Sequence, residues 1–139
     1  MFYEAHARAK AANFKDPKGN SLKTNEWTDS NGTPLLTLVI QCQKDSIAKT
    51  LIDEFYSDVR AANKNGFTPL HAAAYAGSLD MCKLLLHEGA NPLAQTKETS
   101  LLPHEMAKEN GHNDVAEYLL KEATSKRLFQ IGLNTGYNR

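Results

Sequence analysis

The chain lacks most of the features that mark specialised classes of protein. Its 139 residues include two cysteines, Cys42 and Cys82, which is too few for a disulfide framework and typical of free thiols in a reducing compartment. No run approaches the roughly 18 consecutive apolar residues that a membrane span needs. The formal net charge is zero and there is no basic block. The composition therefore predicts one small domain that neither spans a membrane nor binds nucleic acid.

Motifs of catalysis and metal binding are also missing. The sequence has no glycine-rich phosphate loop, no Gly-x-Ser-x-Gly elbow and no His-Glu-x-x-His motif. His104 and His112 lie eight residues apart, across a predicted helix and its terminal glycine, and no Cys/His cluster has zinc spacing. We therefore predict no enzyme activity, no cofactor and no metal. An enzyme or effector with an unrecognised site is the distant alternative.

The start of the chain has no apolar signal region, so secretion is not expected. An intracellular location follows, with the cytoplasm favoured and an organelle left open. Residues 2–14 are rich in alanine and predict a helix. Residues 126–131 predict an extension of the last helix, with Gly132 as its stop.

What the sequence does contain is a repeat. Four features recur at a spacing of 34 residues: Pro69 with Pro103, Gly77 with Gly111, Asp80 with Asp114, and Leu85-Leu86 with Leu119-Leu120. Towards the N-terminus, Leu51-Ile52 keeps the spacing of 34, but Thr33-Pro34-Leu35 precedes Thr68-Pro69-Leu70 by 35. This mismatch predicts a one-residue slip between the two helices of the first unit. The boundaries predicted for the three units are 29–62, 63–96 and 97–123.

The middle unit predicts a helix pair without reference to any family. Thr68 is a good N-cap, and Pro69 follows at the first helical position, where a missing N–H costs nothing. Gly77 predicts a left-handed end to this helix, and a second helix is expected from Leu79 to His87. Two such helices cannot bury their apolar faces alone, so stacked neighbours must supply the rest of the core.

The stretch Thr68-Pro69-Leu70-His71-Ala72-Ala73 resembles the signature of the ankyrin repeat. The resemblance implies an all-α solenoid of helix-turn-helix units joined by hairpin-like turns. Residues 1–28 would form an N-terminal helical cap, and residues 124–139 a C-terminal extension.

The two outer units depart from the family pattern. The first has Leu36 in place of the family's histidine, and Cys42 or Gln43 where a glycine is expected between helices. The third has Leu102 in place of the capping threonine and Glu105 in place of the histidine. Glu105 can still accept a hydrogen bond from a backbone N–H, as in a capping box.

The resemblance implies protein–protein recognition through a concave face formed by turn tips and first helices. Exposed aromatic and apolar groups rimmed by charge are typical of interfaces. Phe67 and Tyr75 are expected to project together on this face, and Ile40 is an equivalent position in the first unit. The alternative is that Phe67 and Leu101 pack against neighbouring turns. The predicted partner-binding residues are Lys64, Asn65, Phe67, Tyr75, Glu98, Leu101 and Glu109.

Two roles remain open for such a module. It is either a scaffold or accessory subunit of a larger intracellular assembly, whose subunits contact residues 1–14 and 128–139, or a free-standing regulator that binds a soluble partner transiently. The fold alone does not distinguish them.

Overall fold

The computed structural model describes residues 27–131. This part of the chain contains six α-helices and no strand beyond an isolated bridge between Thr28 and Pro34. The all-α prediction is confirmed. The helices are α1 (Leu35–Gln41), α2 (Asp45–Asp53), α3 (Pro69–Ala76), α4 (Leu79–His87), α5 (Pro103–Glu109) and α6 (Asn113–Gln130).

The helices form three pairs with one uniform spacing. First helices begin at residues 35, 69 and 103, and second helices at 45, 79 and 113, so every interval is 34. The predicted slip in the first unit is wrong. Pro34 is the N-cap of α1, with φ −66° and ψ 157°, whereas Pro69 is the first helical residue of α3. The φ to which proline is restricted suits both positions, so the Thr-Pro pair does not fix the start of the helix.

The middle pair has the caps that its sequence predicts. The Thr68 hydroxyl accepts a hydrogen bond from His71 N at 3.2 Å, and α3 ends at Gly77 with φ 77°. The Ser78 hydroxyl caps α4 by accepting from Met81 N at 3.3 Å. In the third pair, Glu105 accepts from Leu102 N at 2.9 Å, as predicted.

The turn between the two helices of each pair requires a left-handed residue. Gln43, Gly77 and Gly111 occupy this position at intervals of 34, with φ of 60°, 77° and 80°. Gln43 is strained there because a side chain disfavours positive φ. A Cβ on Gly77 would also lie 2.5 Å from His112 Nδ1, so the His112 side chain would have to shift to admit another residue in the middle turn.

The core lies between the stacked pairs, with α3 in contact with α1 on one side and α5 on the other. Leu70, Met81 and Leu85 of the middle pair are fully buried. Thr37 is buried as well, and its hydroxyl has no hydrogen-bond partner within the described residues. The other large buried side chains include Leu36, Ile40, Val115 and Leu119.

The last helix extends well past the length of its counterparts. α6 has 18 residues, whereas α2 and α4 have nine each. The predicted extension of this helix is confirmed as far as Gln130, with Ile131 as the C-cap, and the predicted stop at Gly132 lies outside the described residues. No helix between residues 27 and 131 is long and apolar enough to cross a membrane. The predicted N-terminal helix and the rest of the C-terminal tail lie outside the described residues.

Candidate protein-binding site

Three loop tips precede the three helix pairs, and each turns at a left-handed residue. Gly32, Gly66 and Ser100 hold these positions at intervals of 34, with φ of 75°, 78° and 54°. Glycine adopts this conformation without strain, which explains two of the three. The tips therefore repeat with the same period as the helices.

Each tip is held by a side chain that accepts backbone hydrogen bonds. Asp29 Oδ1 accepts from the N–H groups of Asn31 and Thr33, both at 2.9 Å. At the equivalent position, 34 residues on, Asn63 Oδ1 accepts from Asn65 N at 2.8 Å and from Phe67 N at 3.0 Å. These are Asx turns, in which a short polar side chain fixes the local backbone.

The third tip is fixed by a different residue. Thr96 Oγ1 accepts a hydrogen bond from Leu101 N at 2.9 Å, and the Thr96 and Thr99 hydroxyls lie 2.7 Å apart. All three tips are thus locally ordered before any partner binds.

Backbone hydrogen bonds join neighbouring tips into a row. Lys64 N donates to Asn31 O at 3.0 Å, and Lys97 N donates to Asn65 O at 2.9 Å. Lys64 Nζ also donates to Ser30 O at 3.2 Å. The relative positions of the tips are therefore fixed by the fold, which lowers the entropy cost of binding.

A cavity of about 420 Å³ lies along this row, and we call it the loop-tip cavity. Its two ionisable lining groups are Asp29 and Glu98. The pKa of Asp29 is lowered, chiefly by the hydrogen bond from the backbone of Thr33, so the carboxylate stays charged near neutral pH. The lining residues are Asp29, Asn31, Thr33, Gln41, Asn63, Asn65, Phe67, Thr96, Glu98 and Thr99.

His71 does not line the cavity but contacts Phe67, which does. Its ring stacks on Phe67, with the ring centroids 5.7 Å apart. Thr68 N donates to His71 Nδ1 at 3.2 Å, and His71 Nε2 lies 2.9 Å from Leu101 O. Because a carbonyl only accepts, Nε2 carries the proton, and the imidazole is neutral. Burial lowers the pKa of His71, which is consistent with this state.

The structure separates the seven residues predicted to bind a partner. Asn65, Phe67 and Glu98 line the loop-tip cavity. Lys64 is exposed on the second tip beside it. These four residues form one group on the row of tips.

The other three lie elsewhere. Leu101 and Glu109 line a second cavity, of about 620 Å³, between α5 and α6, which we call the end-face cavity. Tyr75 is 57% exposed and lines neither cavity. Its carbonyl accepts a hydrogen bond from His112 Nε2 at 3.1 Å. The end-face cavity is lined by Leu101, His104, Glu105, Lys108, Glu109, Asn113, Ala116, Glu117 and Leu120.

Three of the apolar side chains predicted to be exposed on the binding face are partly or fully buried by packing. Phe67 and Leu101 are half-buried, as the interpretation that they pack against neighbours predicts, although each still lines a cavity. The expectation that Ile40 is exposed is wrong, since Ile40 is fully buried. The error comes from the first unit, where the true interval of 34 makes Ile40 equivalent to Ala74, which is also fully buried.

Four of the residues that line the loop-tip cavity were not predicted from the sequence. Asp29, Thr33, Asn63 and Thr96 all line it. One signal was present, since Asp29 and Asn63 are 34 apart and each stands two residues before an Asn-Gly pair. A short polar residue in that setting is typical of an Asx turn.

Other chemistry has little support in the described part of the chain. No three His, Cys, Asp or Glu side chains of residues 27–131 come together in a group that could hold a metal ion. Cys82 is buried, and burial raises the pKa of its thiol to about 12, so it is not a ready nucleophile. The geometry favours recognition.

Comparison with known families gives the same answer as the geometry. The model for "Ankyrin repeats (3 copies)" matches residues 10–96. The chain belongs to the ankyrin-repeat family. The third helix pair lies beyond the matched residues but continues the interval of 34 seen in the first two.

Several curated proteins share this ankyrin segment. The chain is 38% identical over 99 residues to XBAT35 of Arabidopsis thaliana, a candidate E3 ubiquitin-protein ligase by name, covering 69% of the chain and 21% of that protein. It is 37% identical over 78 residues to alpha-latrocrustotoxin-Lt1a of Latrodectus tredecimguttatus, covering 56% and 5%. It is 36% identical over 94 residues to the tyrosine-protein kinase Shark of Drosophila melanogaster, covering 67% and 10%.

The chain thus spans about a fifth or less of these three proteins. Their names designate a candidate ligase, a toxin and a kinase, so the shared segment does not identify one common activity. Ankyrin repeats are a non-catalytic fold that binds proteins, and the repeats of this chain form such an interaction module.

Proposed function

We propose that this ankyrin-repeat chain is an accessory subunit of a larger intracellular assembly and holds a protein partner in its loop-tip cavity. The observation that carries the proposal is the row of three tips, each fixed by its own side chain and joined to the next by backbone hydrogen bonds. A surface that is already ordered binds without paying for its own folding.

The chemistry of the cavity favours an extended protein segment. The side chains of Asn31, Gln41 and Asn65 are exposed, and an amide can both donate to and accept from a peptide backbone. Asp29 and Glu98 supply negative charge to the cavity, whereas the Lys64 ammonium beside it does not line the cavity and donates to Ser30 O. A segment with a Lys or Arg side chain therefore fits best, and the half-buried ring of Phe67 offers it an apolar contact.

A role as a subunit is supported by large apolar groups that are exposed away from the cavity. Tyr75, Phe129 and Ile131 have exposed fractions of 57%, 65% and 63%. An exposed apolar patch marks an interaction surface. The two groups at the end of α6, Phe129 and Ile131, lie close in sequence and are the ones we assign to a contact with a further subunit.

The proposal is tested by site-specific cross-linking in two steps. A photoreactive residue is placed at Asn65 in one variant and at Glu88, an exposed residue at the end of α4, in another. The proposal expects one dominant protein to be cross-linked at position 65 and not at 88.

The captured protein is then purified, and its affinity is measured against Glu98→Lys, with Glu88→Lys as the matched charge reversal. We expect Glu98→Lys to weaken binding about tenfold or more, because it places a cation where a cation binds. Equal losses in both variants would exclude the loop-tip cavity. Dissociation within seconds would instead favour the transient regulator over the permanent subunit.

A further inference from the structure

The outer side of the third helix pair is an apolar surface without a described helix against it. α5 packs on α3, so its opposite side and the adjoining side of α6 face away from the stack. The end-face cavity lies there, and a smaller cavity of about 160 Å³ continues it along α6 through the shared residues His104 and Leu120. We call this combined surface the end face.

The equivalent surfaces of the first two helix pairs are each covered by the next pair in the stack. Ile52, Leu86 and Leu120 occupy equivalent positions at intervals of 34. Ile52 is 5% exposed and Leu86 is half-buried, whereas Leu120 is 49% exposed. The first two have a following helix pair beside them, and Leu120 has none among the described residues.

An interrupted apolar stripe runs along α6. Leu120 is 49% exposed, Leu128 is half-buried and Ile131, at the C-cap, is 63% exposed, whereas Ala116 is buried and the exposed Thr124 separates Leu120 from Leu128. Exposed apolar groups close together on one helix side are expected to pack against another element.

The charges beside the stripe differ between its two ends. Near the N-terminal half of α6, the lining has three carboxylates, Glu105, Glu109 and Glu117, and one ammonium group, that of Lys108. Arg127 lines the surface near the C-terminal end of α6. An antiparallel copy of α6 would bring the acidic half of one helix to the basic half of the other.

The spacing along the stripe agrees with such an arrangement. The pairs Glu117 with Arg127, Ala116 with Leu128, and Leu120 with Thr124 share one midpoint, at residue 122. In a two-fold interface, residue i contacts residue j and j contacts i, so each pairing is made twice. The ion pair, the contact of Ala116 with Leu128 and the contact of Leu120 with Thr124 all satisfy this symmetry together.

We propose that two copies of this chain associate through their end faces, with the two α6 helices antiparallel and Glu117 of each copy opposite Arg127 of the other. The loop-tip cavity is not part of this contact, so a dimer would present two such cavities.

Sedimentation analysis of the full 139-residue chain, from micromolar to millimolar concentration, tests the proposal. We expect a reversible monomer–dimer equilibrium. Leu120→Glu should raise the dissociation constant by at least about 30-fold, as for a central contact residue. Ile47→Glu is the matched control, since Ile47 is a 51% exposed aliphatic residue on α2. It should leave the equilibrium unchanged.

A charge exchange separates this geometry from a general hydrophobic contact. Glu117→Arg and Arg127→Glu should each weaken self-association, and the chain carrying both changes should recover it. An equimolar mixture of the two single variants should form a heterodimer, because the mixture restores both ion pairs. Circular dichroism of each variant confirms that the helices are intact.

Four results would overturn the proposal. One is a wild-type chain that stays monomeric at the highest concentration, and another is a pair of folded single variants that the double change does not rescue. A third is growth into polymers, which would indicate a head-to-tail contact. The fourth is a dimer that forms only after removal of residues 132–139, which would assign the end face to that segment.

Discussion

The two junctions of the stack are built differently, although the helices that form them repeat with one period. Thr37 of α1 and His71 of α3 occupy equivalent positions 34 residues apart, and both are fully buried. His71 reaches across the second junction and donates to Leu101 O at 2.9 Å. The Thr37 hydroxyl is too short for the equivalent bond and has no partner within the described residues.

A second pair of equivalent residues also differs in its partner. At the second junction His112 Nε2 donates to Tyr75 O at 3.1 Å, whereas at the first junction Ser78, 34 residues earlier, donates its hydroxyl to Asp45 Oδ2 at 3.0 Å.

Both junctions therefore combine packing with polar bonds. The first has apolar contact by Leu36 and Ile40 and the bond from Asn63 Nδ2 to Thr33 Oγ1 at 2.9 Å. Only at the second does a buried histidine bond across the junction, so the two should respond differently to substitution and to pH.

The largest effect is expected in the core of the middle pair. Leu85 is fully buried with a helix pair on either side, so Leu85→Ala should lower the free energy of unfolding by roughly 2–5 kcal/mol. Leu51, its equivalent in the first pair, is 6% exposed, and Leu51→Ala should cost less. Urea denaturation measures both. A larger loss for Leu51 would show that the first pair is the stronger unit.

His71→Ala should cost roughly 1–3 kcal/mol, because it leaves the Leu101 carbonyl and the Thr68 N–H without their partner. His87→Ala, at an exposed position in the last turn of α4, is the control and should change stability much less. Equal effects would mean that the histidine network contributes little to the second junction.

Adding a side chain at one left-handed turn and removing one at another should change the stability in opposite directions. Gly77→Ala should destabilise by about 1–2 kcal/mol from positive φ alone, with the contact to His112 adding to that cost. Gln43→Gly relieves the same strain in the first pair and should stabilise by about 0.5 kcal/mol after the entropy cost of glycine. Thermal unfolding of the two variants tests the sign. A loss on Gln43→Gly would show that its side chain makes a compensating contact.

Thr37→Val should stabilise the first junction by about 1 kcal/mol. The replacement has nearly the same shape and removes a buried hydroxyl that lacks a partner. Thr50→Val, on the exposed side of α2, is the control because its hydroxyl already donates to Ser46 O. A destabilised Thr37→Val protein would mean that the hydroxyl has a partner in solution, such as bound water.

The smallest effect is a loss of stability in mild acid. Burial lowers the pKa of His71 and of His104 below the usual 6.5, so the folded chain takes up protons less readily than the unfolded chain. The two neutral histidines contribute fully to the free energy of unfolding above about pH 6.5. This contribution declines as the pH falls towards their folded-state pKa values.

The free energy of unfolding should therefore be lower at pH 5.5 than at pH 7.5. The decrease should be smaller in His71→Gln, which lacks the main buried imidazole. A protein that grows more stable over this range would contradict the assignment of a neutral His71.

Much of the middle pair could be predicted from the sequence, because its signals act within one helical turn. The threonine cap, the proline after it and the glycine at the end define α3, and the next helix has the predicted bounds of Leu79–His87. Glu105 as a replacement cap was predictable for the same reason.

The register of the first pair was decided by tertiary packing. Thr33-Pro34 matched the wrong residues, since proline suits both an N-cap and the first helical position. Leu36 and Ile40 pack in the shared core with the residues of α3, and this contact sets the interval of 34.

Local signals determined that the chain forms stacked helix pairs, where the middle pair begins and ends, and which residues cap it. Only the tertiary structure decided which surface residues act together. It placed Asp29, Asn63 and Glu98 in one cavity and moved Leu101 and Glu109 to another. The physical reason is that a cap or a turn depends on neighbours in sequence, whereas a surface depends on how separate pairs lie against each other.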